Sequence, residues 1–201
     1  MKRPPEAYRG PRLFEAGMGH VIIARFKAGG LTEAGLFLVD AWCLGVKDAD
    51  FLRLDVYEYE NDLLEQVFSA EEGGAQKKEP ACARKLVEEA VAYARSLGLE
   101  PHPDYRRAAR VFGGIQGQDC AETFVFGKDG RPFYFQGPHD RPEDVLQRLL
   151  VLQHRLGPDK FHYVITPDVG DYIVNCGYGE LLDRARTVSR GAEDAESSLS
   201  K

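Results

Sequence analysis

Between Gly35 and Asp50 the chain reads GLFLVDAWCLGVKDAD, an apolar run that closes on small and charged residues. Leu36, Phe37, Leu38 and Val39, then Ala41, Trp42, Cys43 and Leu44, carry the apolar character as far as Gly45. β-Branched and aromatic residues ending on a glycine predict one long, largely buried strand. Asp40 interrupts it. A carboxylate is costly to bury unless it is paired or hydrogen-bonded, so Asp40 either accepts backbone N–H groups at a bend or bulge or takes part in chemistry. The first is the commoner outcome.

A buried strand needs neighbours. His20–Lys27 (HVIIARFK) predicts an antiparallel partner with Val21, Ile22 and Ile23 inside, connected through the flexible pair Gly29-Gly30. Phe51–Glu60 alternates like a half-buried strand, Asn61 reads as the N-cap of a helix over Asp62–Ala70, and Glu71–Glu79 reads as a loop. The clearest helix is Pro80–Leu97, with Pro80 at its first position and Gly98 just past its end. Cys82, Leu86, Ala90, Val91, Ala94 and Leu97 fall on one face. A short helix runs from Tyr105 to Phe112, and Asp140 and Pro142 open another that stops at Gly157-Pro158. Asp129-Gly130 predicts a hairpin between Thr123–Phe126 and Arg131–Phe135, with Phe124, Phe126, Phe133, Tyr134 and Phe135 making it unusually aromatic. Phe161–Thr166 and Tyr172–Asn175 read as further strands, and Gly179–Val188 as a last helix.

Strands first, helices in the middle and a hairpin late imply an α+β fold, a mainly antiparallel sheet with helices packed on one face. The 201 residues are assigned to an N-terminal arm over 1–17, rich in Pro, Arg and Gly and anchored by Leu13-Phe14, a single domain over 18–188, and a disordered tail over 189–201. At 43% apolar and 29% charged residues the composition is that of a globular protein. No apolar stretch approaches the ~20 residues needed to span a bilayer, and the first residues lack the apolar core of a signal peptide. These features predict a cytoplasmic protein without a membrane role. Cys43, Cys82, Cys120 and Cys176 form no C-x-x-C pair, which removes the zinc-ribbon and thioredoxin patterns and predicts buried thiols.

Three blocks, FLVDAWCLGVKDA, PHPDY ending at Tyr105 and FGKDGRPFY ending at Tyr134, resemble strings that recur in this order in a widespread group of uncharacterised bacterial proteins. The resemblance spans most of Gly19–Thr166. It implies a bacterial intracellular origin and one coherent domain, and carries no catalytic residues with it.

Two constellations could carry chemistry. Asp40, Asp48, Asp50, His102 and Asp104 are carboxylates and an imidazole near element ends, a set that can hold a divalent metal and activate water. Their spacing matches no established motif, and turn and helix-start roles are the commoner explanation of such residues. Arg106, Arg107 and Arg110 lie three and four residues apart beside Tyr105, with Arg131 as a further cation, and could contact RNA or another phosphate ligand. The competing reading is a solvated basic face, since the net charge of −6 disfavours broad nucleic-acid binding. A cysteine nucleophile, Cys43, Cys120 or Cys176 with His20, His139 or His162 as base, is the weakest of the catalytic readings. With no complete catalytic motif, the sequence favours a binding or regulatory module acting through protein or nucleic-acid contacts. The alternative is a metal-dependent hydrolase, such as a nuclease.

Overall fold

In the computed structural model the described residues are 3–182, and the chain divides into two compact units, Met1–Gly130 and Arg131–Lys201. Where the sequence predicts one domain over 18–188, each unit holds a sheet of its own. The fold is α+β, with a five-stranded antiparallel sheet and helices packed against it.

The first unit is built on β2 (Met18–Phe26) and β3 (Leu31–Asp40), antiparallel in continuous register from Met18↔Asp40 to Phe26↔Thr32. The predicted long strand ends early, at Asp40. There the carboxylate Oδ1 accepts the N–H groups of Trp42 and Cys43, both at 2.9 Å, and the chain reverses into β4 (Gly45–Asp55). Asp40 is therefore the bend, and the apolar residues beyond it belong to the turn. Gly45 is obligatory at its exit. Its φ is +67°, and a Cβ there would lie 2.5 Å from the Ala90 carbonyl oxygen of the helix packed above.

The N-terminal arm is not laid on the surface. Glu6–Arg9 forms β1, paired antiparallel with β2 on one side and with β5 (Gln76–Lys78) on the other, giving the order β4-β3-β2-β1-β5. The short helix α1 (Leu13–Ala16) then buries Leu13, as its anchoring role requires. The stretch read as a loop thus supplies an edge strand, short and lysine-rich in the manner that protects exposed edges.

Strand alternation sorts the core onto two faces. Val21, Ile23, Phe37, Val39, Ala49 and Phe51 meet α3 (Pro80–Ser96), whose buried stripe includes Leu86, Val87, Ala90 and Val91. Helix α3 keeps its predicted limits, with Gly98 at φ +85° beyond its end. On the opposite face Ile22, Ala24, Phe26 and Ala34 meet Tyr59 and Phe68. Those two rings come from a segment entered by a reciprocal cap: the Glu58 N–H donates to Asp55 Oδ1 at 2.8 Å, and the Asp55 N–H to Glu58 Oε2 at 2.9 Å. This cap ends β4 five residues short of the predicted strand end. A π-helical turn (Glu58–Leu63) and α2 (Leu64–Phe68) follow, and Asn61, instead of capping, donates to the Tyr57 carbonyl.

Four buried thiols are not what the chain contains. Cys82 on α3 and Cys120 form a disulfide, while Cys43 and Cys176 are free. It fastens the segment after α4 (Tyr105–Ala108) onto α3, together with Lys85 Nζ, which donates to the carbonyls of Cys120 (3.2 Å) and Glu122 (2.6 Å). Cys120 is thereby removed as a nucleophile. The aromatic hairpin is corrected as well. Asp129 and Gly130 take the positive φ values such a turn needs, 52° and 76°, but residues 123–126 form no strand. Phe124 stacks on Phe14 and Phe126 on Tyr93 instead.

In the second unit β6 (Phe133–Phe135) pairs in parallel with β7 (His162–Val164), with α5 (Pro142–Leu156) as the crossover. Tyr134 is buried, and its hydroxyl donates to Asp140 Oδ2 at 3.1 Å while Arg148 pairs with Asp140 Oδ1 at 3.1 Å. Tyr172–Asn175, read as a strand, lies in helix α6 (Pro167–Asn175), which Pro167 opens. The predicted helix over 179–188 begins as a single 3₁₀ turn, Gly179–Leu181; its remainder past residue 182 and the tail over 189–201 lie outside the described residues. No described helix is long and apolar enough to cross a membrane.

Candidate functional site

Arg106 and Arg107 of α4, and Arg110 of the 3₁₀ turn that continues it (Ala109–Phe112), stand beside the edge strand β4; together they are the α4 arginines. Gly35 permits this. A Cβ at that position would lie 2.6 Å from Val111 and 3.0 Å from the Ala108 carbonyl, so its absence lets the helix settle onto β3. Tyr105 turns inward, half-buried and edge-on to Phe37, and its ring is committed to the core rather than offered for stacking. Burial raises its hydroxyl above the ordinary tyrosine range. Arg106, Arg107 and Arg110 stay exposed. Arg107 donates to the Phe51 carbonyl at 3.5 Å and approaches Asp50 at 4.0 Å, while Arg110 lies over the Phe51 ring. Arg131 belongs to the second unit.

Three further cations extend this face. Cross-strand register places Arg25, Glu33 and Arg53 in one row over β2, β3 and β4. Glu33 is nearly buried and gathers Arg25 at 2.9 Å, Lys27 at 3.0 Å and Arg53 at 3.6 Å. Burial alone would raise its carboxyl, but the Lys27 and Arg25 bonds outweigh it and hold Glu33 below the usual carboxylate range. Arg53 shares the Phe51 ring with Arg110, and Arg25 reaches the Arg110 carbonyl at 3.4 Å. Six cations, Arg25, Lys27, Arg53, Arg106, Arg107 and Arg110, are thus set against the two carboxylates that contact them, Glu33 and Asp50. Sequence spacing identifies Arg106, Arg107 and Arg110. Arg25 and Lys27 alternate on one strand face, a visible signal, but Arg53 joins them only through pairing.

The acidic constellation converges in part. His102, tied to β4 by its N–H to the Val46 carbonyl at 2.9 Å, has Asp48 3.7 Å from Nε2 and Asp104 3.8 Å from Nδ1. The two ring nitrogens point in opposite directions, so these carboxylates flank the imidazole instead of sharing one coordination point with it. Asp48 and Asp50 each accept the N–H of the following residue. Asp40 is committed to its turn; burial pushes its carboxyl up to about 6 despite the backbone N–H groups that favour its charge. Among the described residues no three His, Cys, Asp or Glu side chains are grouped to hold a metal ion. On the face opposite α3, His20, a candidate base for a cysteine nucleophile, instead has its Nδ1 2.7 Å from Glu71 Oε1, and it borders a small hollow with Leu36, Leu38, Asp48 and Asp50.

No family model, curated protein or solved structure matches this chain. Function is argued from the geometry alone.

Proposed function

We propose that the first unit is a binding module that takes the phosphate backbone of a nucleic acid on the face formed by Arg25, Lys27, Arg53, Arg106, Arg107 and Arg110. The observation that carries this reading is Glu33: one nearly buried carboxylate holds three cations in place, leaving a fixed excess of positive charge continuous with the exposed arginines of α4. Guanidinium groups held over Phe51 keep donors free for phosphate oxygens. Phe51 is covered and the half-buried Tyr105 ring packs against the core, so the face contacts backbone rather than stacking on bases. Binding is therefore indifferent to sequence and similar for single and double strands.

The test is fluorescence anisotropy with a labelled single-stranded RNA and a DNA duplex across a salt series. Neutralising about four phosphates gives a slope of log K against log salt of about −3.6 for the duplex and about −2.8 for the single strand. Replacing Arg106, Arg107 and Arg110 together by Glu should abolish binding while leaving the far-UV spectrum and thermal midpoint in place. Equal affinity in the triple variant, or no salt dependence, overturns the proposal.

A further inference from the structure

Beside the basic face, but not lined by the α4 arginines, is a cavity of about 390 Å³ in the first unit. That volume falls within the range of small-molecule sites, roughly 300–1,000 Å³. Its charged lining is entirely cationic, from Arg3, Arg25 and Lys27, and its remaining walls include Pro4, Pro5 and Ile115. Acids do pair with these cations, Glu33 with Arg25 and Lys27, and Glu6 and Glu60 with Arg3. None of the three acids lines the cavity. The charge that faces the cavity is positive.

Two details make this more than a gap between loops. Arg3 is held flat over the Phe26 ring, 3.7 Å from its centroid, so one wall is a guanidinium backed by an aromatic ring. Arg25 is confined by the chain itself: a Cβ on Gly113 would lie 1.5 Å from its Nη1. Its Nη2 is occupied by Glu33 and the Arg110 carbonyl, yet its Nε is buried with no hydrogen-bond partner among the described residues.

We infer that this cavity binds a small organic anion with an apolar body, an aromatic carboxylate or phosphate monoester, whose oxygens meet Arg25 and Lys27 and whose body lies against Pro4, Pro5 and Ile115. Charge alone would leave the prolines and Ile115 without a role, and an apolar ligand alone would leave three cations facing it unmatched. The cavity shares Arg25 and Lys27 with the proposed nucleic-acid face but is not lined by Arg106, Arg107 or Arg110.

Isothermal titration of the full chain with phenyl phosphate tests the assignment, with phenol and inorganic phosphate as the two half-ligands. Phenyl phosphate should bind one per chain and at least tenfold more tightly than either. Lys27→Gln should weaken it roughly tenfold, as expected for losing a charge-assisted hydrogen bond. Gly114→Phe places a ring where a Cβ has open space around it, so the variant folds and should block the cavity. The Arg106, Arg107 and Arg110 triple variant should bind phenyl phosphate within twofold of wild type, which separates this site from the nucleic-acid face. Absence of phenyl phosphate binding, equal binding of either half-ligand, or full affinity in a folded Gly114→Phe protein overturns the inference.

Discussion

Breaking the Cys82–Cys120 bond gives the largest stability change expected for this chain. The bond closes 38 residues of sequence between α3 and the segment that packs over it. Restricting an unfolded loop of that length is worth about 4 kcal/mol on the chain-entropy estimate, a large part of the ~5–15 kcal/mol that holds a typical domain folded. Both cysteines are buried, and after reduction the segment is retained by the Lys85 bonds to the carbonyls of Cys120 and Glu122 and by the packing of Phe124 and Phe126. The assay is guanidinium unfolding with and without reductant, beside a thiol count. Without reductant the unfolded chain should titrate two thiols, Cys43 and Cys176, and with it four. In the native state Cys176, the exposed one, should react first. The Cys82→Ala/Cys120→Ala variant should lose a similar stability and become insensitive to reductant. Four thiols in the unreduced chain, or a reduction cost below about 1 kcal/mol, would refute the reasoning.

Asp40 makes a second test through pH. Its carboxyl titrates near 6 when folded, against 3.8 ordinarily, so the stability it contributes is complete below about pH 4 and lost as pH rises through 6, a fall of up to about 3 kcal/mol. Asp40→Asn should remove that slope; the difference between the two proteins is the quantity to follow, because Glu33, held below its ordinary range, titrates with the opposite sign. An unchanged slope in the variant would show that Asp40 is ionised throughout. Gly45→Ala should cost about 2 kcal/mol or more, combining a left-handed backbone with a clash against Ala90. Gly29→Ala, also at positive φ but with open space around its Cβ, should pay the backbone part alone, and equal losses in thermal melts of the two would remove the packing argument.

The elements legible from sequence are those whose signals are local. Helix α3 has its proline, its stripe and its terminal glycine within one stretch, and β2 and β3 have the glycine pair between them. Where two local signals compete, composition misleads. Trp42, Cys43 and Leu44 look like strand because they are apolar, but Asp40 offers its oxygen to their N–H groups and the chain turns. Asp55-Val56-Tyr57-Glu58 is a capping box, masked in the sequence by the strand-like alternation of the same residues. The Cys82–Cys120 pairing has no local signal at all; the partners are 38 positions apart and meet only after α3 is seated on the sheet.

The basic face shows the same division, and explains how an acidic chain can present it. A net charge of −6 describes the field far from the molecule, whereas a bound phosphate feels what lies within a Debye length, about 8 Å at physiological salt. At that range pairing geometry decides. Glu33 is consumed by three cations and Asp50 by Arg107, while Asp48 and Asp104 flank His102 and Asp40 is enclosed in its turn. Glu33 and Asp50 thus offset part of this face, while Asp48, Asp104 and Asp40, which also weigh against the arginines in a sequence count, are spent on other partners in space. Affinity for a polyanion should accordingly follow the six cations of this face and be nearly indifferent to acidic residues added to α2, which packs on the opposite face of the same sheet, a contrast that anisotropy at two salt concentrations measures directly.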